Sequence, residues 1–200
     1  SPTATLKIDT ASGVKTLTLY KLNGKVSSVT VDMGAPKFDS ASLPTILKTV
    51  DVKGGSQLPS KAIVNVPLTV DNQKYDVTCV AVGNPHCVVF CGFVDKVDVP
   101  HIGPLFETNV AFPNRTNTEF VRVVGRNELK MRTWERGNGE TPACGTGACA
   151  AAIAAVLNGY CPMNENITVK VRGGTLIVKY TGSTVYLTGE SSLSYEGDID

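Results

Sequence analysis

The run Arg132-Thr-Trp-Glu135-Arg136-Gly-Asn-Gly-Glu140-Thr-Pro-Ala-Cys144-Gly145-Thr146-Gly147-Ala-Cys149-Ala-Ala-Ala-Ile153 constrains this chain more than any other segment. A thiol stands just ahead of Gly-x-Gly, and an alanine-rich helix candidate, Ala148 to Leu157, opens where the glycines stop. Gly159 supplies a C-terminal stop signal. A cysteine at the start of such a helix meets the positive dipole end and unpaired N–H groups. These favour thiolate and predict a lowered pKa. The N–H groups of Gly145, Thr146 and Gly147 are then available to an anion such as a carboxylate. The plain alternative is a buried core helix of small packing residues. The charged, loop-forming stretch Glu135 to Glu140 beside the thiol argues against it.

The rest of the chain reads mostly as short strands. Thr5 to Asp9 and Thr16 to Tyr20 come first, followed by a hairpin signal at Asn23-Gly24, a dipeptide that accepts the positive φ angles of a type I′ turn. Val29, Val31 and Met33 alternate with polar residues. Gly34 to Ser60 is looser and marks a candidate boundary; it holds one helix candidate, Ala41 to Val50, with Pro44 near its start. Strand patterns resume at Ile63 to Val70, Lys74 to Val82, Val88 to Val94, Phe120 to Val124 and Leu129 to Trp134. They return after the helix at Ile167 to Val171, Leu176 to Tyr180 and Val185 to Thr188. Many strands and one long helix near the middle predict an α+β fold, a mostly antiparallel sheet curled around a central helix.

Composition excludes several function classes. Nineteen basic and eighteen acidic residues leave a net charge of +1, with no charge run to mark a nucleic-acid footprint. No apolar stretch approaches membrane-spanning length, and no signal-peptide pattern opens the chain. The six cysteines lie within apolar strand-like and helix-like segments, which fits reduced thiols and a cytoplasmic location better than a disulfide framework. His86, Cys87 and Cys91 lack the paired Cys-x2-Cys spacing of a structural zinc site, so no metal is expected.

Two further segments carry polar chemistry. In Gly83-Asn84-Pro85-His86-Cys87, Asn-Pro marks a turn that presents Asn84 and an imidazole at a sheet edge, although a histidine there also serves as a satisfied structural residue. Asn114, Arg115, Thr116 and Asn117 gather donors and acceptors ahead of a strand, fit either for a turn or for a zwitterionic ligand. In the Cys144 loop, Arg136 suits a carboxylate and Glu135 an ammonium; an exposed ion-pair edge is the alternative.

Together, Gly83-Asn-Pro-His-Cys-Val-Val, Arg115-Thr-Asn117, the Trp134 to Ala150 run and the closing Tyr186-Leu-Thr-Gly-Glu…Tyr195-Glu-Gly resemble the diaminopimelate epimerase family in order and spacing. The resemblance implies two similar halves, each a curled sheet around a central helix, with the active site between them. It implies interconversion of LL- and meso-diaminopimelate in lysine and cell-wall biosynthesis, with no cofactor and no metal, by two cysteines on opposite faces of the α-carbon. By that likeness Cys144 is the second of these. Gly145 and Thr146 meet the reacting carboxylate, and Asn84, Asn117, Glu135 and Arg136 bind substrate. His86 and Glu135 tune the thiol pKa values.

The family's first half, with its own Cys-Gly-Asn-Gly motif and partner cysteine, has no counterpart here. Residues 1–33 resemble strands that close that first half, 34–189 the C-terminal half, and 190–200 a return strand toward the first. The expectation is a C-terminal portion of a longer epimerase, inactive alone, whose partners are the substrate and the missing half, with a homodimer also possible. Two alternatives stand beside it: a hydrolase using Cys144 as nucleophile with His86 as base, and a racemase of the same fold acting on another amino acid.

Overall fold

In the computed structural model, residues 4–11, 13–39, 41–53 and 57–198 are described. The strands are β1 (Ala4–Thr10), β2 (Gly13–Leu22), β3 (Lys25–Gly34), β4 (Val50–Asp51), β5 (Lys61–Val70), β6 (Gln73–Ala81), β7 (Pro85–Phe90), β8 (Asn117–Gly125), β9 (Glu128–Glu135), β10 (Gly139–Thr141), β11 (Ile167–Val171), β12 (Gly174–Tyr180) and β13 (Val185–Glu190). Two α-helices, α1 (Val99–Glu107) and α2 (Gly145–Leu157), and a 3-10 turn at Val94–Lys96 complete the elements among the described residues. The strands join one mixed sheet in the order β1-β2-β3-β13-β12-β11-β9-β8-β7-β6-β5-β4, with β10 paired to β9. Among the described residues, only β7–β8 and β9–β11 pair in parallel. The α+β class with a mostly antiparallel sheet is what the sequence predicts.

Those two parallel pairs explain where the helices sit. α1 bridges β7 to β8, and α2 bridges β9 to β11. β8 and β9 are antiparallel, so the two crossovers start in opposite directions while stepping the same way along the sheet. Right-handed crossovers then place the helices on opposite faces. The core divides accordingly. Val80, Val88, Val121, Leu129 and Met131 pack with α2, whereas Cys79, Cys87, Val89 and Phe120 pack with Val99, Ile102 and Phe106 of α1. Alternation along each strand separates the two sets.

α2 has no polar face. Every residue from Gly147 to Leu157 is buried, and the helix packs against strands from β6 through β13. Its alanines allow this, since bulkier side chains would hold the surrounding strands off. Gly159, at φ +73°, ends it in the left-handed region, as expected. Asn23 and Gly24, at φ 52° and 80°, form the predicted hairpin turn between β2 and β3.

Two local expectations fail. No helix forms at Ala41 to Val50; residues 41–44 make a turn. Pro44 withholds a donor, and the Thr45 hydroxyl and Ile46 N–H both go to the Ala111 carbonyl instead, at 2.7 and 3.1 Å. The strand expected to run to Val94 stops at Phe90. The sequence also gives no warning of α1, which carries prolines at 100 and 104 and a glycine at 103. Asp98 caps it through His101 N–H, Pro100 sits harmlessly in the first turn, and burial of Val99, Ile102 and Phe106 outweighs poor propensity. Gly103 is required by packing, because a Cβ there would come 2.5 Å from the Trp134 ring. At the far end, residues 191–198 form no strand, although Ser191 N–H donates to the Ser27 carbonyl.

Candidate active site

Cys144 is the N-cap of α2, in extended conformation, and its sulfur accepts from Gly147 N–H at 3.3 Å. The Thr146 hydroxyl lies 3.5 Å from the sulfur. The expected cradle of three N–H groups is therefore two: Gly147 N–H serves the sulfur, while the N–H groups of Gly145 and Thr146, both half-buried residues, have no hydrogen-bond acceptor among the described residues. Cys144 is 7% exposed, beside exposed Pro142 and Ala143, so the sulfur lies at the margin of the core. The expected lowering of its pKa does not hold. Burial first, then the charge of Glu119, pushes the thiol up to about 11, with Glu135 adding to the rise. The Thr146 hydroxyl and Gly147 N–H pull the other way and lose. Near neutral pH Cys144 is therefore held in its neutral thiol form.

Strand alternation brings the other groups to the same face. On β8, Asn117, Glu119 and Val121 point toward α2; Val88 on β7 and Thr133 and Met131 on β9 lie beside them in register. His86 belongs to this set but not to a sheet edge. It is fully buried on β7, which runs between β6 and β8. Its Nδ1 lies 2.8 Å from Glu119 Oε1 and its Nε2 2.9 Å from Asn84 Oδ1. Both ring nitrogens are thus engaged away from Cys144, and a Cys144–His86 nucleophile pair does not form.

Asn117, expected to touch substrate, is 4% exposed and largely committed inside the protein. Its Nδ2 donates to the Pro85 carbonyl at 2.8 Å, and its Oδ1 accepts from Arg136 N–H at 2.9 Å. Asn84 is half-buried at the turn before β7. Glu135 ends β9 half-buried and accepts from the Thr141 hydroxyl across the β9–β10 pair. Arg136 is exposed, with one Nη1 hydrogen bond to the Asn114 carbonyl at 3.0 Å. The structure therefore brings Asn84, His86, Asn117, Glu135 and Arg136 to one end of β7, β8 and β9, and the start of α2 beside Glu119.

Two carboxylates escape a reading of the sequence. Glu119 is one. Glu107, at the end of α1 and 5% exposed, is the other: it accepts from Trp134 Nε1 at 2.6 Å, Gly137 N–H at 3.1 Å and Arg115 Nη1 at 3.4 Å. It grips the Glu135–Arg136 loop from both sides. No local motif marks it, since α1 itself is illegible; Glu119 has a signal, an acidic residue within the buried-strand pattern around Phe120.

The chain matches the family model for diaminopimelate epimerase over residues 78–194. It is 41% identical to the diaminopimelate epimerase of Agathobacter rectalis over 197 residues, covering 98% of this chain and 67% of that protein. Against the diaminopimelate epimerase of Desulfovibrio desulfuricans, identity is 43% over 195 residues, covering 96% and 66%. The chain thus spans about two thirds of the length of these curated relatives. Among solved structures, a hydroxyproline epimerase from Agrobacterium vitis superposes with a TM-score of 0.65 at 12% identity, covering 98% of this chain and 59% of that one. A probable proline racemase from Agrobacterium radiobacter K84 gives 0.62 at 13%, covering 98% and 62%. These two show a shared fold; it is the sequence match across nearly the whole chain that places it in the diaminopimelate epimerase family.

Proposed function

We propose that this chain is the C-terminal part of a cofactor-independent, cytoplasmic epimerase that interconverts LL- and meso-diaminopimelate for lysine and cell-wall biosynthesis. Cys144 is one of two thiols acting from opposite faces of the α-carbon. A thiolate on one face removes the α-proton while a thiol on the other supplies a new one. The negative charge that develops on the carboxylate is met by the N–H groups of Gly145 and Thr146, donors that need no reorganisation. Arg136 pairs with a carboxylate, Glu135 with an ammonium, and Asn84 and Asn117 complete the pocket wall. His86 and Glu135 tune the thiol.

One observation carries this reading: Cys144 caps α2 as a neutral thiol beside two unpaired N–H groups, in a chain 41% identical to a diaminopimelate epimerase. No other cysteine supports a role as the partner thiol. Cys149 lies on α2 itself, fully buried; Cys79 and Cys87 are buried within the sheet; Cys161 is buried past the far end of α2; and Cys91, half-buried, packs with the α1 core. We therefore place the partner thiol in the third of the relatives' length that this chain does not match.

The same proposal gives residues 1–33 to the strands that close a first half, 34–189 to the second half, and 190–200 to the return toward the first. It has the sheet curl around α2, since one helix reaches strands from β6 to β13. It also explains an uncovered apolar stripe. Leu6, Leu17, Val31 and Leu187 stand in register across β1, β2, β3 and β13, and only the Leu187 end lies against the α2 core. The hydrolase alternative is not favoured, because His86 is sequestered by Glu119 and Asn84.

The test is exchange and binding in deuterated water. With LL-diaminopimelate and this chain alone, no α-deuterium is expected to enter at enzymatic rate, while titration is expected to shift the amide resonances of Gly145 and Thr146. Rapid exchange by the chain alone would refute the missing-thiol reading; unmoved amides at saturating ligand would refute the carboxylate cradle.

A further inference from the structure

Glu119 is fully buried on β8, and the reaction scheme above gives it no task. Its Oε1 accepts from the Thr133 hydroxyl at 3.3 Å and faces His86 Nδ1 at 2.8 Å. Its Oε2 is buried with no hydrogen-bond partner. Leaving such an atom unpaired is costly, so a carboxylate kept in this state calls for an explanation beyond packing. The position of Gly147 supplies one. A Cβ on Gly147 would come within 2.6 Å of Glu119 Oε1 and 3.2 Å of Cys144 Sγ. The carboxylate and the sulfur flank the same α-carbon, and the first turn of α2 closes on β8 only because position 147 has no side chain.

We propose that Glu119 is a positioning residue for Cys144: a carboxylate, anchored by His86 and Thr133 and held against Gly147, that sets its charge beside the sulfur and locks the His86 ring and Asn84 behind it. The inference deepens the reading of Cys144 as a proton-transfer group and rests on it. A carboxylate only accepts, so Nδ1 of His86 carries the proton in this pair. The far nitrogen lies 2.9 Å from the Asn84 amide, so the ring's fixed orientation sets where that side chain sits. At the sulfur, a nearby negative charge disfavours thiolate. Burial acts in the same sense and more strongly, Glu135 on β9 adds a smaller push, and the Thr146 hydroxyl and Gly147 N–H oppose. Two further thiols share the neighbourhood, Cys149 on α2 and Cys87 on β7, both held high chiefly by burial. His86 on β7 is the other titratable side chain directly against Glu119.

The test reads the rate of Cys144 alkylation by iodoacetamide between pH 7 and 11, located by peptide mapping, in this chain and in Glu119→Gln. The substitution keeps shape and removes charge. The titration midpoint is expected to fall, raising the rate at pH 8 several-fold and up to about tenfold, one unit being a factor of ten. Cys149 in the same digest must stay slow, since a merely loosened fold would speed both. An unchanged Cys144 profile, or a parallel rise at Cys149, overturns the proposal. Should Glu119→Gln not fold, Glu119→Asp withdraws the charge by one methylene and is expected to shift the midpoint the same way by less; no shift overturns it. Nitrogen-15 spectra of the two histidines in the unaltered chain give an independent reading. Nδ1 of His86 is expected to be protonated at neutral pH, and an unprotonated Nδ1 overturns the pairing. No arm measures turnover, so the epimerase reading and this one fail separately.

Discussion

The two ends of the sheet end up in opposite environments. Around α2 and α1, strands β5 to β9 bury one side chain after another on both faces: Ile63, Val77, Cys79, Val80, Cys87 and Val88 are each within 1% of full burial. At the other end, β1 is exposed along its whole length, and β2 and β3 are at most half-buried. The wing strands alternate apolar with polar residues, whereas β6 and β7 carry consecutive apolar ones, as in Cys79 to Ala81 and Cys87 to Phe90. What separates the environments is a covering layer: among the described residues no helix packs on β1 or β2. Alternation therefore specifies where a strand will form and which side is apolar, whereas burial is decided by what lies above it.

The largest expected effect lies on the covered side. Ile153→Ala on α2 leaves a cavity in fully packed surroundings and should destabilise by about 2–5 kcal/mol in urea unfolding. A loss below about 1 kcal/mol would mean that the α2 core is as loose as the wing, erasing the contrast. Next comes Glu107→Gln, which turns an amide hydrogen toward donors now satisfied by a carboxylate. A loss of about 1–3 kcal/mol is expected, with faster hydrogen exchange at Gly137 N–H. Protection at Gly137 unchanged from the parent chain would detach the loop from α1.

The third prediction concerns pH. The Cys144 pKa is raised from 9.0 to about 11 in the folded chain, so folding favours its neutral form. The stability this contributes is fully present below pH 9 and is lost as pH climbs through about 11. Cys144→Ala should make the alkaline decline in urea midpoint shallower without abolishing it, since Cys149, raised to about 12, and Tyr180 shift in the same direction. An unaltered slope would place the sulfur in water. The smallest effect belongs to the bare wing: Leu6→Ser should change stability by less than about 0.5 kcal/mol in this chain. A loss comparable to Ile153→Ala would show that β1 is covered after all.

The sequence displays some of this architecture openly. Asn23-Gly24, the alternating strands and the stop at Gly159 are local signals, and local physics is enough to read them. α1 is hidden because its formation depends on burial of Val99, Ile102 and Phe106, which no window of sequence reveals, while its prolines argue against it. The candidate site is legible as a set of residue types but not as an arrangement. Cys144 at the cap follows from its glycines. That Gly147 would be spent on the sulfur, or that a carboxylate from β8 would arrive beneath it and raise rather than lower its proton affinity, depends on strand register. His86 shows the same limit: an Asn-Pro turn promises exposure, yet β8 closes over the ring.

Asn117 has a mechanical consequence. By holding Pro85 with one end and Arg136 with the other, it pins together two segments about fifty residues apart in the chain. The turn that carries Asn84 and the loop that carries Arg136 are thereby riveted into a single jaw. A displacement of one is passed to the other through a single buried amide.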